Sequence, residues 1–268
     1  MTDVSTTGTP AARAPETAAP VPGAPTPPAD GATAEEFWDA RYRASERIWS
    51  GRPNPVLVRE ADGLTPGRAL DLGCGEGADA VWLARRGWRV TAVDISRTAL
   101  ERGAEHAGSA GVADRIDWQW HDLAVSFPAG EFDLVSAQFL HSEVPLPRER
   151  ILRTAAAAVA PGGALLIVGH AGPHPGEHTD GHPEGHAGGH AGGHAQGDAD
   201  GHAGPHPHQG VPLPTPEEVV AALDLPPHAW ELLLSEEHAH GPTTPDGRPG
   251  TRTDNTVLLR RLDGAPAR

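Results

Sequence analysis

Residues 71–77 read Asp-Leu-Gly-Cys-Gly-Glu-Gly, and a second acid, Asp94, follows 21 positions after Gly73. Apolar stretches flank both acids, so the run predicts a buried strand, a glycine turn, a helix and a second strand that ends in a carboxylate. Gly73, Gly75 and Gly77 let the backbone turn sharply and approach a ligand closely, and an acid one βαβ unit later is placed to accept from ribose hydroxyls. The pattern points to a ligand carrying an adenosine. The run Gly73-x-Gly75-x-x-Ala78 also satisfies the loose dinucleotide fingerprint, and an ordinary strand-to-helix turn without a nucleotide is the plainer alternative. Charge separates these readings. A pyrophosphate favours a helix N-terminus without nearby carboxylates, whereas Asp71, Glu76 and Asp79 suit a cation. Cys74 has no histidine or second cysteine near it in sequence, so its small volume explains it better than redox chemistry.

The acid-x-Gly-x-Gly-x-Gly turn of Asp71, Gly73, Gly75 and Gly77 resembles the first motif of class I S-adenosylmethionine-dependent methyltransferases, over roughly residues 35–261. That resemblance implies S-adenosylmethionine as methyl donor, with no metal required for the chemistry. It also implies an α/β, Rossmann-like, seven-stranded and mostly parallel sheet of order 3-2-1-4-5-7-6, strand 7 antiparallel and helices on both faces. Ligands of open parallel sheets collect outside the carboxyl ends of the strands, near the reversal of strand order. On the family pattern Asp71, Gly73, Gly75 and Gly77 line the methionine portion, Asp94 the ribose diol and Ile95 one adenine face. Asp122 accepts from the adenine amino group, and the amide of Leu123 reaches a ring nitrogen. A helix cap is the alternative for Asp94, but Ser96 can fill that role. A turn former is the alternative for Asp122.

Strand 4 ends in Gln138-Phe139-Leu140-His141, where this fold contacts methyl donor and acceptor. Methyl transfer is an in-line displacement that neutralises a sulfonium, so alignment and water exclusion matter most. A soft anionic acceptor needs no base; for a hydroxyl or ammonium, His141 is the candidate, with capping or packing as its alternative. The spacing of Phe37-Trp38, Tyr42, Trp49-Ser50-Gly51, Pro53-Asn54, the first motif and residues 137–141 is most similar to small-molecule enzymes of the thiopurine and tellurite-resistance type. A thiol, selenium, tellurium or aromatic acceptor follows from that similarity.

Residues 1–31 are rich in Ala, Pro, Thr and Gly, which cannot bury enough apolar surface to offset ordering entropy, so a disordered tail is expected. The methyltransferase domain then covers 32–268. No basic start followed by an apolar run is found, and nowhere do about 18 apolar residues run together. With a single cysteine, these absences predict a soluble, cytoplasmic chain without a membrane partner. The net charge of −15, and 21 basic residues that are all arginine, argue against nucleic acid.

Glu35–Tyr42 has helical spacing, and Val56–Ala61 resumes it after a turn-rich stretch; Tyr42 and Trp49 either cover the ligand or simply pack. Strands are expected at 68–73, 88–94, 115–121, 132–138, 163–169, 229–234 and 256–262. Helices are expected at 77–86, 97–110 and 147–160, the last ended by Pro161-Gly162-Gly163, and from Thr215, a cap followed by proline and two acids.

Residues 170–210 form a His/Gly-rich mobile loop in this reading, with histidines mostly four apart. Glycine and proline oppose a helix there. Neutral imidazoles at His174, His178, His182, His186, His190 and His194 predict binding of a divalent transition metal such as nickel, copper or zinc, either adventitious or regulatory. Three functions remain open: a methyltransferase acting on a small molecule, a metal-buffering or metal-sensing protein on a degenerate methyltransferase fold, and a nicotinamide oxidoreductase.

Overall fold

The computed structural model describes residues 31–171, 213–240 and 252–264. After helices α1 (Ala34–Arg43) and α2 (Pro55–Ala61), strands and helices alternate: β1 (Arg68–Leu72), α3 (Ala78–Arg85), β2 (Arg89–Asp94), α4 (Arg97–Ser109), β3 (Ile116–Trp120), β4 (Phe132–Gln138), α5 (Arg148–Ala157) and β5 (Val159–Ala171). Helix α6 (Pro216–Leu223) and strands β6 (Trp230–His240) and β7 (Arg252–Arg261) complete the described chain. The seven strands form one sheet of order β3-β2-β1-β4-β5-β7-β6. Strand β7 runs antiparallel to both neighbours, β5 and β6, and the other pairs are parallel. This is the order implied by the family resemblance.

Period-two alternation divides the strands between two apolar layers. Leu70, Leu72, Val135, Ala137, Leu165 and Ile167 face Ile151, Leu152 and Ala155 of α5 and Val219 and Leu223 of α6. Ala69, Val90, Ala92, Leu134, Leu166 and Val168 face Val56 and Leu57 of α2 and Ala80 and Leu83 of α3. Both faces are covered, which is why the strands read as nearly continuous apolar runs.

The caps follow sequence chemistry. Thr33 and Glu36 make a capping box at α1, Thr215 and Glu218 make another at α6, Asn54 caps α2, and Ser96 caps α4 by accepting from Ala99 N. One boundary differs from the sequence expectation. The helix predicted to run to 160 stops at Ala157, because Ala158 C=O accepts from Phe132 N (2.9 Å) and Val159 already pairs with Phe132. Pro161-Gly162-Gly163 therefore lies inside β5 rather than ending a helix. The 1–31 tail, except Gly31, and nearly all of the 170–210 loop lie outside the described residues.

Candidate functional site

Strand order reverses between β1 and β4, and the glycine turn sits at the carboxyl end of that pair. Gly73, Gly75 and Gly77 all have left-handed φ, of 68, 53 and 80°. Gly73 N and Cys74 N both donate to Val93 C=O at 2.9 and 3.0 Å, so the turn is stitched to the end of β2. A Cβ on Gly77 would overlap the Trp118 ring, so that glycine serves the packing of α3 against β3. A Cβ on Gly75 would lie 3.0 Å from Tyr42 Oη and 3.1 Å from Trp49 Nε1, so Gly75 permits close approach from above the turn.

Asp94 joins the two acids of the motif to the turn. Its Oδ2 accepts from Gly75 N (2.9 Å) and its Oδ1 from Ser96 N (2.9 Å). Ser96, as expected, does the capping. Asp71 is buried beside it, with Ala80 N–H as a backbone donor to its carboxylate. Among the described residues, Asp71 Oδ2 and Gln138 Oε1 are buried acceptors with no hydrogen-bond partner. Both belong to the face that also carries Ser136, whose hydroxyl accepts from Gln138 Nε2 at 2.9 Å.

Electrostatics sharpen this picture. Burial, then the charges of Asp79 and Asp94, push the Asp71 carboxyl well above the usual carboxylate range. Burial raises Asp79 to about 6, and it raises Asp94 despite the donors from Ser96, Gly75 and Ile95. Burial, then Asp94 and Asp71, also push up the Cys74 thiol, which leaves it a poor nucleophile. A pocket in which three carboxyls resist ionisation favours a cation and disfavours a phosphate.

The N-terminal segment closes over the turn. Trp49 Nε1 donates to Tyr42 Oη (3.0 Å), and Ile48 N and Trp49 N donate to Glu76 Oε2 at 3.3 Å each. Glu76 Oε1 in turn accepts from Arg102 Nη1 at 2.9 Å. Helix α1 is held at its other side by Trp38 Nε1 on Ser142 Oγ (3.2 Å), an Arg41–Glu143 ion pair, and Asp39, which accepts from Ser96 Oγ at 2.6 Å. The sequence leaves Tyr42 and Trp49 open between covering a ligand and packing, and does not mark Glu76 as the anchor of Ile48 and Trp49. The only local signal was an acid inside the glycine turn.

The remaining site residues are placed as follows. Ile95 follows β2, and its C=O accepts from Trp120 Nε1 (2.7 Å). Asp122 stands after β3 and forms a turn: its Oδ1 accepts from Ala124 N (2.9 Å), and its C=O from Val125 N and Ser126 N. Leu123 is half-buried against the α5 side of the core. His141 Nε2 accepts from His170 N (3.1 Å). A backbone N–H can only donate, so this nitrogen carries no proton and its lone pair is already used. His141 thus stands after β4 as a hydrogen-bond acceptor for the end of β5. It lines an open cleft of about 350 Å³ with Ser142, Glu143, Val144, Pro145, Leu146 and Arg148, beside the carboxyl end of β4.

The six histidines from His174 to His194 lie outside the described residues. Among the described residues no group of three or more His, Cys, Asp or Glu is arranged to hold a metal, and no helix is long and apolar enough to cross a membrane.

Residues 69–163 match the methyltransferase domain family. A ubiquinone biosynthesis O-methyltransferase of Caulobacter sp. (strain K31) is 33% identical over 156 residues, which cover 52% of this chain and 62% of that protein. A probable thiol methyltransferase 2 of Arabidopsis thaliana is 35% identical over 101 residues, covering 37% and 45%. The chain thus spans between two-fifths and two-thirds of the length of these relatives. Among solved structures, the N-methyltransferase NodS from Bradyrhizobium japonicum WM9, in complex with S-adenosyl-L-homocysteine, is 18% identical with a TM-score of 0.54, covering 85% of this chain and 99% of that one. It shares the fold. In its acid-glycine turn, its sheet order and the domain matched over residues 69–163, this chain is similar to the class I S-adenosylmethionine-dependent methyltransferases.

Proposed function

We propose that the protein transfers a methyl group from S-adenosylmethionine to a small-molecule acceptor by in-line displacement. The observation that carries this reading is the pair of buried, unpartnered acceptors, Asp71 Oδ2 and Gln138 Oε1, at the strand reversal among carboxyls that resist ionisation. A buried acceptor without a donor costs about 1–3 kcal/mol, and an ammonium supplies both the missing donors and the missing charge. In this reading Asp71, Gly73, Gly75 and Gly77 hold the methionine portion, and Asp94 the ribose diol. Ile95, Asp122 and Leu123 hold the adenine, and Gln138 stands between donor and acceptor.

Bound S-adenosylmethionine supplies an electrophilic methyl group on a sulfonium. The chain's own residues align that group and exclude water. Tyr42 and Trp49 cover the turn, and Glu76 holds them there. The cleft from His141 to Arg148 receives the acceptor. The relatives' names include ubiquinone O- and thiol methyltransferases, which supports a small acceptor of protic or thiol type; a ribosomal RNA methyltransferase is also among them. The thiopurine and tellurite-resistance likeness remains part of this proposal, as do cytoplasmic location and nickel binding by His174–His194. Isothermal calorimetry of the full chain with S-adenosylmethionine, S-adenosylhomocysteine and NAD tests the reading. Binding of the two sulfur ligands, lost in Asp94→Ala, supports it, and binding of NAD alone replaces it with a nicotinamide enzyme.

A further inference from the structure

The cleft beside the carboxyl end of β4 carries an uneven charge balance. Its acid, Glu143, is paired with Arg41, and Ser142 Oγ accepts from Trp38 Nε1 at 3.2 Å. Its half-buried cation, Arg148, has no carboxylate partner among the described residues. Arg148 Nε donates to Leu140 C=O (3.2 Å), while Nη2 is buried with no hydrogen-bond partner. The acid next to it in sequence, Glu149, has a side chain 70% exposed and 3.9 Å from Arg153 Nη1, one helical turn further on. One positive charge in the lining is therefore left uncompensated.

A guanidinium withdrawn from water without a carboxylate is costly, because it loses hydration and gains only a carbonyl dipole. Burial accordingly lowers the Arg148 pKa, against the charge of Glu149. Asn255 Oδ1 is a second buried atom without a partner, its Nδ2 being spent on Pro214 C=O at 2.7 Å. The Cβ that Gly169 lacks would stand 3.2 Å from Asn255 Oδ1 and 3.3 Å from Arg148 Nη2, so the two atoms flank the same glycine. A neutral amide oxygen can take a hydrogen bond from the guanidinium but cannot balance its charge. An anion does both, and the planar fork of arginine suits the two oxygens of a carboxylate. Across the strand reversal the polarity is opposite, since Asp71, Asp79 and Asp94 resist ionisation and favour a cation.

We propose that Arg148 selects the methyl acceptor by an ionised carboxylate, so that the substrate is a small carboxylic acid. This rests on the methyltransferase reading above and narrows its acceptor class. The cleft of about 350 Å³ lies in the size range of small-molecule sites, and Val144, Pro145 and Leu146 offer apolar contact to the body of such a ligand. One guanidinium matches one negative charge. A phosphate monoester would bring a second charge close to Glu143, with no further cation to balance it. Arg148 binds and orients the acceptor, and it takes no part in making or breaking bonds.

The test is calorimetry on the full chain saturated with S-adenosylhomocysteine, at about pH 7.5, where carboxylic acids are ionised. Probe pairs differ in charge alone: benzoate against benzamide, 4-hydroxybenzoate against 4-hydroxybenzamide, and 4-mercaptobenzoate against 4-mercaptobenzamide. Phenyl phosphate is the dianionic control. The carboxylates should bind about 10–100-fold more tightly than their amides, and benzoate more tightly than phenyl phosphate. Arg148→Gln should bring the acid-to-amide ratio to within about threefold of one, and Arg148→Lys should keep part of the preference. S-adenosylhomocysteine affinity should change by less than about threefold in both variants.

Equal affinity of the wild type for acid and amide overturns the proposal, and that comparison stands whether or not a variant folds. Tighter binding of phenyl phosphate overturns it as well, as does the absence of carboxylate binding by protein that holds S-adenosylhomocysteine. So does an Arg148→Gln variant that loses acid and amide equally, which would reduce Arg148 to a support for the Leu140 carbonyl. A chain that does not hold S-adenosylhomocysteine at all would instead sink the methyltransferase reading itself.

Discussion

Replacing Asp79 by asparagine should stabilise the ligand-free protein, and only above the acid range. Asp79 sits in the first turn of α3, half-buried, with its Oδ1 accepting from Asn54 N at 2.6 Å. Burial raises its folded-state pKa to about 6, against about 3.9 in the unfolded chain. Between those values the folded state holds a proton that the unfolded state has lost, so stability falls as pH rises through this window. Two units correspond to about 3 kcal/mol, and water reaching a half-buried carboxylate reduces this to about 1–3 kcal/mol. The cost is complete by about pH 7 and absent at about pH 4. Asparagine keeps an acceptor for Asn54 N and removes the charge, which also relieves Asp71. Urea unfolding at both pH values reads the difference. Asp79→Asn should exceed the wild type by about 1–3 kcal/mol near pH 7.5 and match it near pH 4. Equal stability at pH 7.5, or a gain of the same size at both, would refute the view that this acidic crevice is strained without a cation.

Gly77→Ala combines a left-handed φ with overlap of the Trp118 ring, so thermal unfolding should show a loss of about 2–4 kcal/mol. Asp94→Ala strands the amides of Gly75 and Ser96 and removes the proposed ribose acceptor. Calorimetry should show at least about a 100-fold loss of S-adenosylhomocysteine affinity, with about 1–3 kcal/mol lost from stability by urea unfolding. Glu76→Gln weakens the anchor of Ile48, Trp49 and Arg102. Donor KM should rise about tenfold, and acrylamide should quench tryptophan fluorescence more strongly than in the wild type.

What the sequence made legible was local. Asp71, the three glycines and Asp94 lie within one βαβ unit, where apolar runs and glycines report backbone shape directly. The sheet order came from the family resemblance, since periodicity does not say which strands are neighbours. The early start of β5 was hidden because Pro161-Gly162-Gly163 is ordinary punctuation after a helix, whereas Val159 extends to satisfy the edge of β4. His141 was singled out for its place at a strand end. Its Nε2 accepts from the amide of His170, a residue 29 positions away. The His170–Asp254 pair spans 84 positions and depends on the antiparallel register of β7, which no local pattern encodes. Side-chain pairs formed across a sheet are invisible to spacing, however clear the individual strands are.

The central claim concerns a cation seated at the carboxyl ends of β1 and β4. A crystal structure of the full chain with S-adenosylhomocysteine tests it most directly. The account predicts the ligand's ammonium within hydrogen-bond reach of Asp71 Oδ2 or Gln138 Oε1 and its ribose diol on Asp94, beneath Tyr42 and Trp49. A ligand bound elsewhere, or a phosphate or nicotinamide dinucleotide taking that place in competition, would contradict it.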